Sequence, residues 1–246
     1  MPESPKEKGF LGLIFLDLDG TIEDSRLDMA GSANAVRSRL DLSIQKEQSM
    51  FPHVMRGMEH LYRQCFPEVF ENPELLSKSA RDESQILDSL AELYQLEYSQ
   101  RIVAHTKCYP GMEEALKTLS EKYILALYTN KPESLSRLLL EKLNIFDFFS
   151  LIYGGDTLPE SKPSALPIET GMQTIAERLA LPLDTVKQRT VMVGDSAGDI
   201  KAAKAAGVAS VWAAYGYYDQ KPDTDPEFIV GRPEEIPDLI QRILPD

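Results

Sequence analysis

From residue 109 onward the chain alternates short apolar runs with stretches of helical periodicity. The strand-like runs cover residues 123–128, 151–153, 190–193 and 208–213, and the helical stretches cover residues 112–121, 133–143, 168–179 and 198–206. Such alternation predicts βα units, whose parallel sheet is covered by helices on both faces. One more buried-strand pattern, at residues 10–16, lies far upstream. We therefore predict an α/β fold whose first strand is separated from the others by a long insert.

Residues 25–104 form that insert and contain no convincing strand pattern. Apolar residues recur there at helical spacing, which predicts helices over residues 33–40, 50–65 and 83–104. We therefore predict two domains. A Rossmann-like α/β core comprises residues 1–24 and 105–246, and a small α-helical domain of residues 25–104 is inserted after its first strand.

The charge balance narrows the range of partners. The chain has 26 Lys and Arg residues against 39 Asp and Glu residues, so its formal net charge is −13. An acidic surface repels nucleic-acid backbones and anionic lipids, so we expect neither nucleic-acid nor membrane binding. The apolar run at residues 10–16 is too short to span a bilayer and lacks the cleavage site of a signal peptide. Cys65 and Cys108 are too few for a disulfide framework, which predicts free thiols in the reducing cytoplasm.

Polar residues follow the predicted strands at the points where the strands end. In an open parallel sheet, ligands bind at this carboxyl edge. The candidates in chain order are Asp17, Asp19, Thr129, Asn130, Lys162, Asp195 and Asp199. An anionic substrate of so acidic a protein needs positive charge close by, and Lys162 after the third core strand can supply it.

The aspartates also have structural interpretations. Asp17 and Asp19 could form a solvated turn, and Asp195 or Ser196 could cap the next helix. Capping accounts for one aspartate but not for four at neighbouring strand ends. Two like charges roughly 4 Å apart repel by about 4 kcal/mol at an effective dielectric of about 20, so converging carboxylates need a cation. An all-oxygen site with few protein ligands suits Mg²⁺, which also takes a substrate phosphate oxygen.

Thr129, Asn130 and Lys162 are ambiguous in the same way. Backbone N–H groups and a hydroxyl at the start of a helix can bind an anion, but Thr129 or Asn130 could equally cap that helix. A lone lysine is usually a solvated surface charge. The position of Lys162 after a core strand is what makes it a candidate.

Four motifs occur together and in order. They are Asp17-Leu18-Asp19-Gly20-Thr21, Thr129-Asn130-Lys131, Ser161-Lys162-Pro163 and Gly194-Asp195-Ser196-Ala197-Gly198-Asp199. In this combination, which spans most of the core, the chain resembles the haloacid dehalogenase superfamily of phosphotransferases. The resemblance implies a Rossmann-like core and a mobile cap, here of the small helical type.

The same resemblance implies roles for the motif residues. Asp17 would be the nucleophile that forms an aspartyl-phosphate, and Asp19 would protonate the leaving group and then activate the hydrolytic water. Thr129 and Lys162 would hold the phosphoryl oxygens. The substrate-binding set would also include Gly20, Thr21 and Asn130. At the metal site, Asp17, the carbonyl of Asp19 and Asp195 would hold Mg²⁺, with Asp199 supporting.

Within the superfamily, the sequence favours a phosphomonoester phosphatase. Dehalogenases and phosphonatases lack an aspartate where this chain has Asp19, and β-phosphoglucomutases usually have Val where it has Thr21. A finer resemblance to phosphoglycolate phosphatases rests on Tyr109-Pro110-Gly111, Gly154-Gly155-Asp156-Thr157-Leu158-Pro159 and Tyr215-Gly216-Tyr217. The resemblance implies 2-phosphoglycolate or a similar small phosphorylated metabolite as substrate.

The insert leaves the substrate open. Residues 41–70 show no recognisable cap pattern, and Ser164-Ala165 stands where His-Pro or Asp-Pro is usual in those phosphatases. Arginines of the insert, among them Arg37, could reach a substrate carboxylate, although solvation is the commoner role of such charges.

Other functions fit the motifs less well. Residues 194–198 match the Gly-x-Ser-x-Gly elbow of α/β-hydrolases, but that fold needs a histidine after the serine. The histidines His53, His60 and His105 all precede it, and His53 with His60 lacks a third ligand for zinc. A phosphotransferase or mutase of the same superfamily, or an idle protein that binds a partner through its cap, are the alternatives. The sequence predicts no oligomeric state.

Overall fold

The computed structural model describes residues 9–54, 56–76, 82–218 and 222–245. The chain divides into two compact units, one formed by Met1–Glu23 with Cys108–Asp246 and the other by Asp24–Lys107. The insert predicted at residues 25–104 overlaps the second unit, and its boundaries stay a prediction. No helix in the described ranges is long and apolar enough to cross a membrane.

The first unit is built on a six-stranded parallel sheet, within the part of the chain that the structure describes. In chain order the strands of the protein are β1 (Leu13–Leu16), β2 (Glu23–Asp24), β3 (Lys107–Cys108), β4 (Ile124–Tyr128), β5 (Phe149–Tyr153), β6 (Thr190–Gly194), β7 (Ala209–Ala213) and β8 (Phe228–Val230). The sheet has the order β5-β4-β1-β6-β7-β8, and β2 pairs with β3 where the chain passes from one unit to the other. The predicted α/β fold is confirmed.

Strand β1 lies in the middle of this sheet. Its last residue, Leu16, pairs with Leu127 of β4 and with Val193 of β6. Every residue of β1, β4 and β6 is buried, as expected of strands that are covered on both faces. The segments that begin at Asp17 and Thr129, and the one that contains Asp195, therefore leave the sheet side by side at its carboxyl edge.

Helices flank the sheet in the first unit. Numbered after the five helices of the insert, they are α6 (Met112–Lys122), α7 (Glu133–Lys142), α8 (Leu166–Leu179), α9 (Leu183–Gln188), α10 (Ala197–Ala206) and α11 (Ile236–Ile243). Buried side chains of α8, such as Met172, join Phe15 of β1 and Tyr153 of β5 in one core cluster. The ring of Phe15 stacks on that of Tyr153 with centroids 6.5 Å apart, so α8 and the middle of the sheet share an apolar core.

The second unit is helical. Its helices are α1 (Arg26–Arg39), α2 (Glu47–Val54), α3 (Met58–Cys65), α4 (Pro67–Glu71) and α5 (Glu83–Arg101). Tyr94 of α5 is buried and donates its hydroxyl to the carbonyl of Met29 in α1, 3.2 Å away. Arg37 is also buried, and its guanidinium donates to both carboxylate oxygens of Glu68 and to the carbonyl of Cys65. Arg37 therefore holds this unit together, and its donors are used within it.

The structure corrects several predicted elements. The single helix predicted over residues 50–65 is two helices, α2 and α3, because Gly57 adopts a φ of 91° that an α-helix does not accommodate. The helix predicted from residue 33 begins at Arg26. Strand β8 and helices α9 and α11 lay outside the predicted elements, and β8 has only three residues, too few for periodicity to show.

Asp28 ties the beginning of the helical unit to its end. Its buried carboxylate accepts the N–H of Thr106 at 2.8 Å, the hydroxyl of Thr106 at 2.7 Å and the N–H of His105 at 2.9 Å. Burial alone would raise the pKa of Asp28, but the hydrogen bonds from His105 and Thr106 outweigh it. The pKa of Asp28 therefore lies below its ordinary value of 3.8.

Removal of this carboxylate leaves the N–H and hydroxyl of Thr106 buried without their acceptor. We expect Asp28→Ala to lower the free energy of unfolding by about 3 kcal/mol at neutral pH. Because the folded-state pKa is depressed, this stabilisation is present above 3.8 and is lost as the pH falls through the folded-state pKa. Urea unfolding followed by circular dichroism, at neutral pH and at low pH, measures the difference.

Asp88→Ala is the matched control, because Asp88 is exposed on α5 of the same unit. It should change the free energy of unfolding by less than about 0.5 kcal/mol. Equal losses in the two variants, or a loss for Asp28→Ala that persists unchanged at low pH, would contradict the role given to Asp28.

Candidate active site

Asp17 is the first residue beyond β1 and is 5% exposed. Its N–H donates to the carbonyl of Val193 in β6 at 3.0 Å, which continues the parallel pairing by one residue. Its Oδ1 lies 2.5 Å from Nζ of Lys162. The strand therefore delivers this carboxylate, already desolvated and paired with a cation, to the carboxyl edge of the sheet.

A tight turn follows and places Asp19. Gly20 has a φ of 83°, and its N–H donates to the carbonyl of Glu23 at 2.9 Å. A Cβ at Gly20 would collide with the carboxylate of Asp195, so this position requires glycine on both counts. Asp19 is partly exposed, and its Oδ1 lies 2.7 Å from Nζ of Lys131.

The segment after β4 supplies a hydroxyl and a second cation. Thr129 is 1% exposed, and its N–H donates to the carbonyl of Tyr153 at 3.0 Å. Its Oγ1 accepts the backbone N–H of Lys131 at 3.1 Å. Since a hydroxyl both donates and accepts, Thr129 keeps its own proton for another acceptor, such as an anionic oxygen.

Lys162 reaches the same edge from the loop after β5. Asn130 holds this loop, because its amide oxygen accepts the N–H of Lys162 at 3.0 Å. The ammonium group of Lys162 lies between Asp17 and Asp199, 2.7 Å from Oδ1 of the latter, and 5.5 Å from the ring centroid of Tyr128. Desolvation opposes the charge of Lys162, but the two carboxylates outweigh it and raise its pKa, so Lys162 is a cation.

The segment after β6 supplies two more carboxylates. Asp195 accepts the N–H of Tyr217 on Oδ2 at 2.8 Å, and its carbonyl accepts the indole N–H of Trp212 at 2.9 Å. Ser196 is the N-cap of α10 and forms a capping box with Asp199. Asp199 therefore serves twice, since Oδ2 closes the capping box and Oδ1 meets Lys162.

Asp17, Asp195 and Asp199 form a buried cluster in which one oxygen of each lies within 4.8 Å of the others. Burial is the main cause that raises the pKa of Asp17, to about 7, and Asp199 adds to it against the opposing charge of Lys162. Burial and the charges of Asp17 and Asp199 likewise raise the pKa of Asp195 well above its ordinary value. Three hard oxygen donors whose negative charges lie close together and out of water fit a divalent cation.

Three other predicted site residues are placed as follows. Gly20 forms the turn and approaches Asp195. Thr21 is fully buried, and its hydroxyl has no hydrogen-bond partner among the described residues, while its carbonyl accepts from Tyr215 at 2.8 Å. The amide of Asn130 is used on the backbone of Lys162. The structure thus brings the four aspartates, Thr129 and Lys162 to one edge, and their functional roles stay predictions.

The sequence motifs did not identify every residue that shapes this edge. Lys131 stands inside a quoted motif, yet nothing in its spacing reveals the ion pair with Asp19. Trp212 and Tyr217 approach Asp195 from β7 and from the loop after it. Tyr217 acts through its backbone N–H, which no side-chain pattern can signal.

Known proteins resemble this chain over most of its length. Residues 13–213 match the family described as haloacid dehalogenase-like hydrolase. Phosphoglycolate phosphatase of Chromobacterium violaceum is 36% identical over 207 residues, with 84% of this chain and 86% of that protein covered. Phosphoglycolate phosphatase of Neisseria meningitidis is 35% identical over 234 residues, with 93% of each chain covered. A crystal structure described as a predicted phosphoglycolate phosphatase from Haemophilus somnus has a TM-score of 0.76 and 27% identity, with 95% of this chain and 100% of that chain covered. The chain therefore belongs to the haloacid dehalogenase-like hydrolase family and is an enzyme of its phosphatase type.

Proposed function

We propose that this protein is a Mg²⁺-dependent phosphomonoester phosphatase that works through an aspartyl-phosphate on Asp17, with 2-phosphoglycolate as its candidate substrate. One observation carries the assignment. Asp17 is a buried carboxylate held against Lys162, with Asp195 and Asp199 beside it and Asp19 two residues away. The names of the relatives support the substrate.

In the first half of the reaction, an oxygen of Asp17 attacks phosphorus and the bond from phosphorus to the ester oxygen breaks. The leaving oxygen takes a proton from Asp19 and departs as an alcohol. Lys162 offsets negative charge as it develops on the phosphoryl oxygens. Thr129 donates its hydroxyl proton to one of those oxygens.

In the second half, a water molecule attacks the same phosphorus and gives its proton to Asp19, now a carboxylate. The bond between phosphorus and Asp17 breaks, which frees inorganic phosphate and restores both aspartates to their starting states. Asp19 acts first as an acid and then as a base because it loses its proton in the first half.

Asp17, Asp195 and the carbonyl of Asp19 are the proposed Mg²⁺ ligands, with Asp199 in support. The cation, when bound, supplies charge neutralisation for the attacking carboxylate and for a phosphoryl oxygen. The raised pKa values of Asp17 and Asp195 indicate that these carboxylates gain from a further positive charge.

A cytoplasmic location fits the two cysteines. Cys65 and Cys108 are both free thiols, and burial raises their pKa values to about 11 and about 12. Thiols that stay protonated at neutral pH are poor nucleophiles, so neither is a competing catalytic group.

The test of this function is phosphate release from a panel of phosphomonoesters, including 2-phosphoglycolate and an aryl phosphate, with Mg²⁺ and with a chelator. We expect release that depends on Mg²⁺ and a kcat/KM for 2-phosphoglycolate at least about 10-fold above those of the other alkyl phosphates. Phosphate release without that preference would reject 2-phosphoglycolate as the substrate but support the phosphatase function. Release from no ester at all would discard the phosphatase.

Asp17→Asn tests the nucleophile. The amide has the size of the carboxylate but cannot attack phosphorus, so we expect kcat to fall by at least about 10³-fold while the fold is retained. Initial rates with the best ester of the panel measure the loss, and circular dichroism checks the fold. Asp184→Asn is the control, since Asp184 is exposed on α9 of the same unit. Phosphatase activity that survives in Asp17→Asn would show that Asp17 is not the nucleophile.

Gly216→Ala tests the support of Asp195. A Cβ at Gly216 would collide with the carbonyl of Gly20 and with Asp195, so the carboxylate must shift. We expect Mg²⁺ affinity to fall by about 10-fold or more. Trp212, the one tryptophan of the sequence, bonds to Asp195, so its fluorescence can report a Mg²⁺ titration without any substrate.

Gly231→Ala is the matched control for that titration. A Cβ at Gly231 meets an oxygen of Glu235 at 3.7 Å, an ordinary contact, and it should leave the Mg²⁺ affinity unchanged. If Gly216→Ala and the unmodified protein bind Mg²⁺ with equal affinity, Asp195 is not a ligand of the metal.

A further inference from the structure

Lys131 is a buried cation that has no role in the reaction steps proposed for Asp17 and Asp19. Its side chain is 3% exposed, and its Nζ lies 2.7 Å from Oδ1 of Asp19, a carboxylate that is 22% exposed. A lysine buried to this extent loses hydration and rotamer freedom, and the charge of Asp19 offsets that cost. The pair therefore joins the proposed acid and base to the interior of the unit.

The backbone of Lys131 is fixed on both sides. Its N–H donates to Oγ1 of Thr129 at 3.1 Å, and its carbonyl accepts the N–H of Gly155 at 2.9 Å. These bonds tie the residue to the ends of β4 and β5. An ammonium group that extends from such an anchor can hold a carboxylate in one orientation, which a mobile surface lysine cannot do.

The contact also distinguishes the two oxygens of Asp19. An ammonium group has three donors and no acceptor, so the oxygen that it contacts has to accept. The carbonyl oxygen of a neutral carboxyl group is a better acceptor than its hydroxyl oxygen, so the ammonium contact on Oδ1 favours the form of Asp19 that carries its proton on Oδ2. Lys131 thereby selects the oxygen that carries the proton, and the anchored backbone fixes where the other oxygen lies.

We propose that Lys131 is a positioning residue that holds Oδ1 of Asp19 so that Oδ2 gives a proton to the leaving oxygen and later takes one from the attacking water. This inference rests on the proposed function. In the first step the bond from Asp17 to phosphorus forms, the bond to the leaving oxygen breaks, and that oxygen takes the proton of Oδ2. In the second step water attacks phosphorus, its proton goes to Oδ2, and the bond to Asp17 breaks.

A different role for the same cation predicts a different result. If Lys131 only attracted the phosphate group, its loss would slow all phosphomonoesters by the same factor. If Lys131 acts through Asp19, its removal should mainly slow the hydrolysis of esters whose leaving group needs a proton. An alkoxide needs that proton to depart, whereas a dinitrophenolate departs without one.

The experiment compares Lys131→Met and Lys131→Arg with the unmodified protein, using esters from alkyl phosphates to 2,4-dinitrophenyl phosphate in the presence of Mg²⁺. We expect Lys131→Met to lower kcat/KM by about 100-fold for the alkyl esters and by less than about 5-fold for the dinitrophenyl ester. Lys131→Arg keeps the positive charge and should recover most of the loss. Lys142→Met, at an exposed position on α7, is the control and should change neither rate.

A double-mutant cycle isolates the connection to Asp19. In the Asp19→Asn background the proton is already missing, so adding Lys131→Met should cause no further loss with alkyl esters. Additive losses, or equal losses across all leaving groups, would overturn the proposal. Loss of the fold in both Lys131 variants, judged by circular dichroism, would also overturn it, because Lys131 would then be structural.

These results separate the inference from the function on which it rests. If the unmodified protein releases phosphate from no ester, the proposed phosphatase function is rejected, and the role proposed for Lys131 is rejected with it. If the unmodified protein is active but Lys131→Met slows all esters equally, or its loss adds to that of Asp19→Asn, the phosphatase function stands. Only the positioning role of Lys131 is then rejected.

Discussion

The ammonium group of Lys162 contacts Asp17 at 2.5 Å and Asp199 at 2.7 Å, out of water, and the arrangement of the candidate active site depends on these two contacts. Oxygens of Asp17, Asp195 and Asp199 lie within 4.8 Å of one another, and desolvation works against their charges. Without a cation among them, these carboxylates would protonate or separate. The loop that carries Lys162 is in turn held by Asn130, so the charge balance of the cluster depends on a loop and not on a strand.

The strand order explains why such distant residues meet. β1 lies between β4 and β6, and its last residue, Leu16, pairs with Leu127 and Val193, each of which is one residue before the end of its strand. Asp17 therefore lies one strand position from Thr129 and one from Asp195, although both are more than 100 residues away in sequence. The insert interrupts the chain after β1 and not within a strand of the sheet, and the chain leaves and rejoins the first unit through the paired strands β2 and β3.

The sequence predicted the features that have a period or a fixed spacing. Alternation of apolar runs identified the parallel sheet, and the four motifs placed Asp17, Asp195 and Lys162 after strands that do end together. It could not predict the break at Gly57, because helix α2 and helix α3 share one apolar period and glycine is tolerated in helices. It also could not predict the Tyr217 contact to Asp195, since a backbone N–H has no sequence signature.

Lys162 and Lys131 contact different carboxylates of the site. When all are ionised, the four aspartates and two lysines leave a formal charge of −2, the charge that a divalent cation cancels. Lys162 lies in the carboxylate cluster, whereas Lys131 lies outside it, with its N–H on Thr129 and its ammonium on Asp19. Lys131 thereby links the hydroxyl proposed to hold a phosphoryl oxygen to the carboxyl proposed to protonate the leaving oxygen. Because both contacts belong to one anchored residue, a displacement of either group would disturb the other.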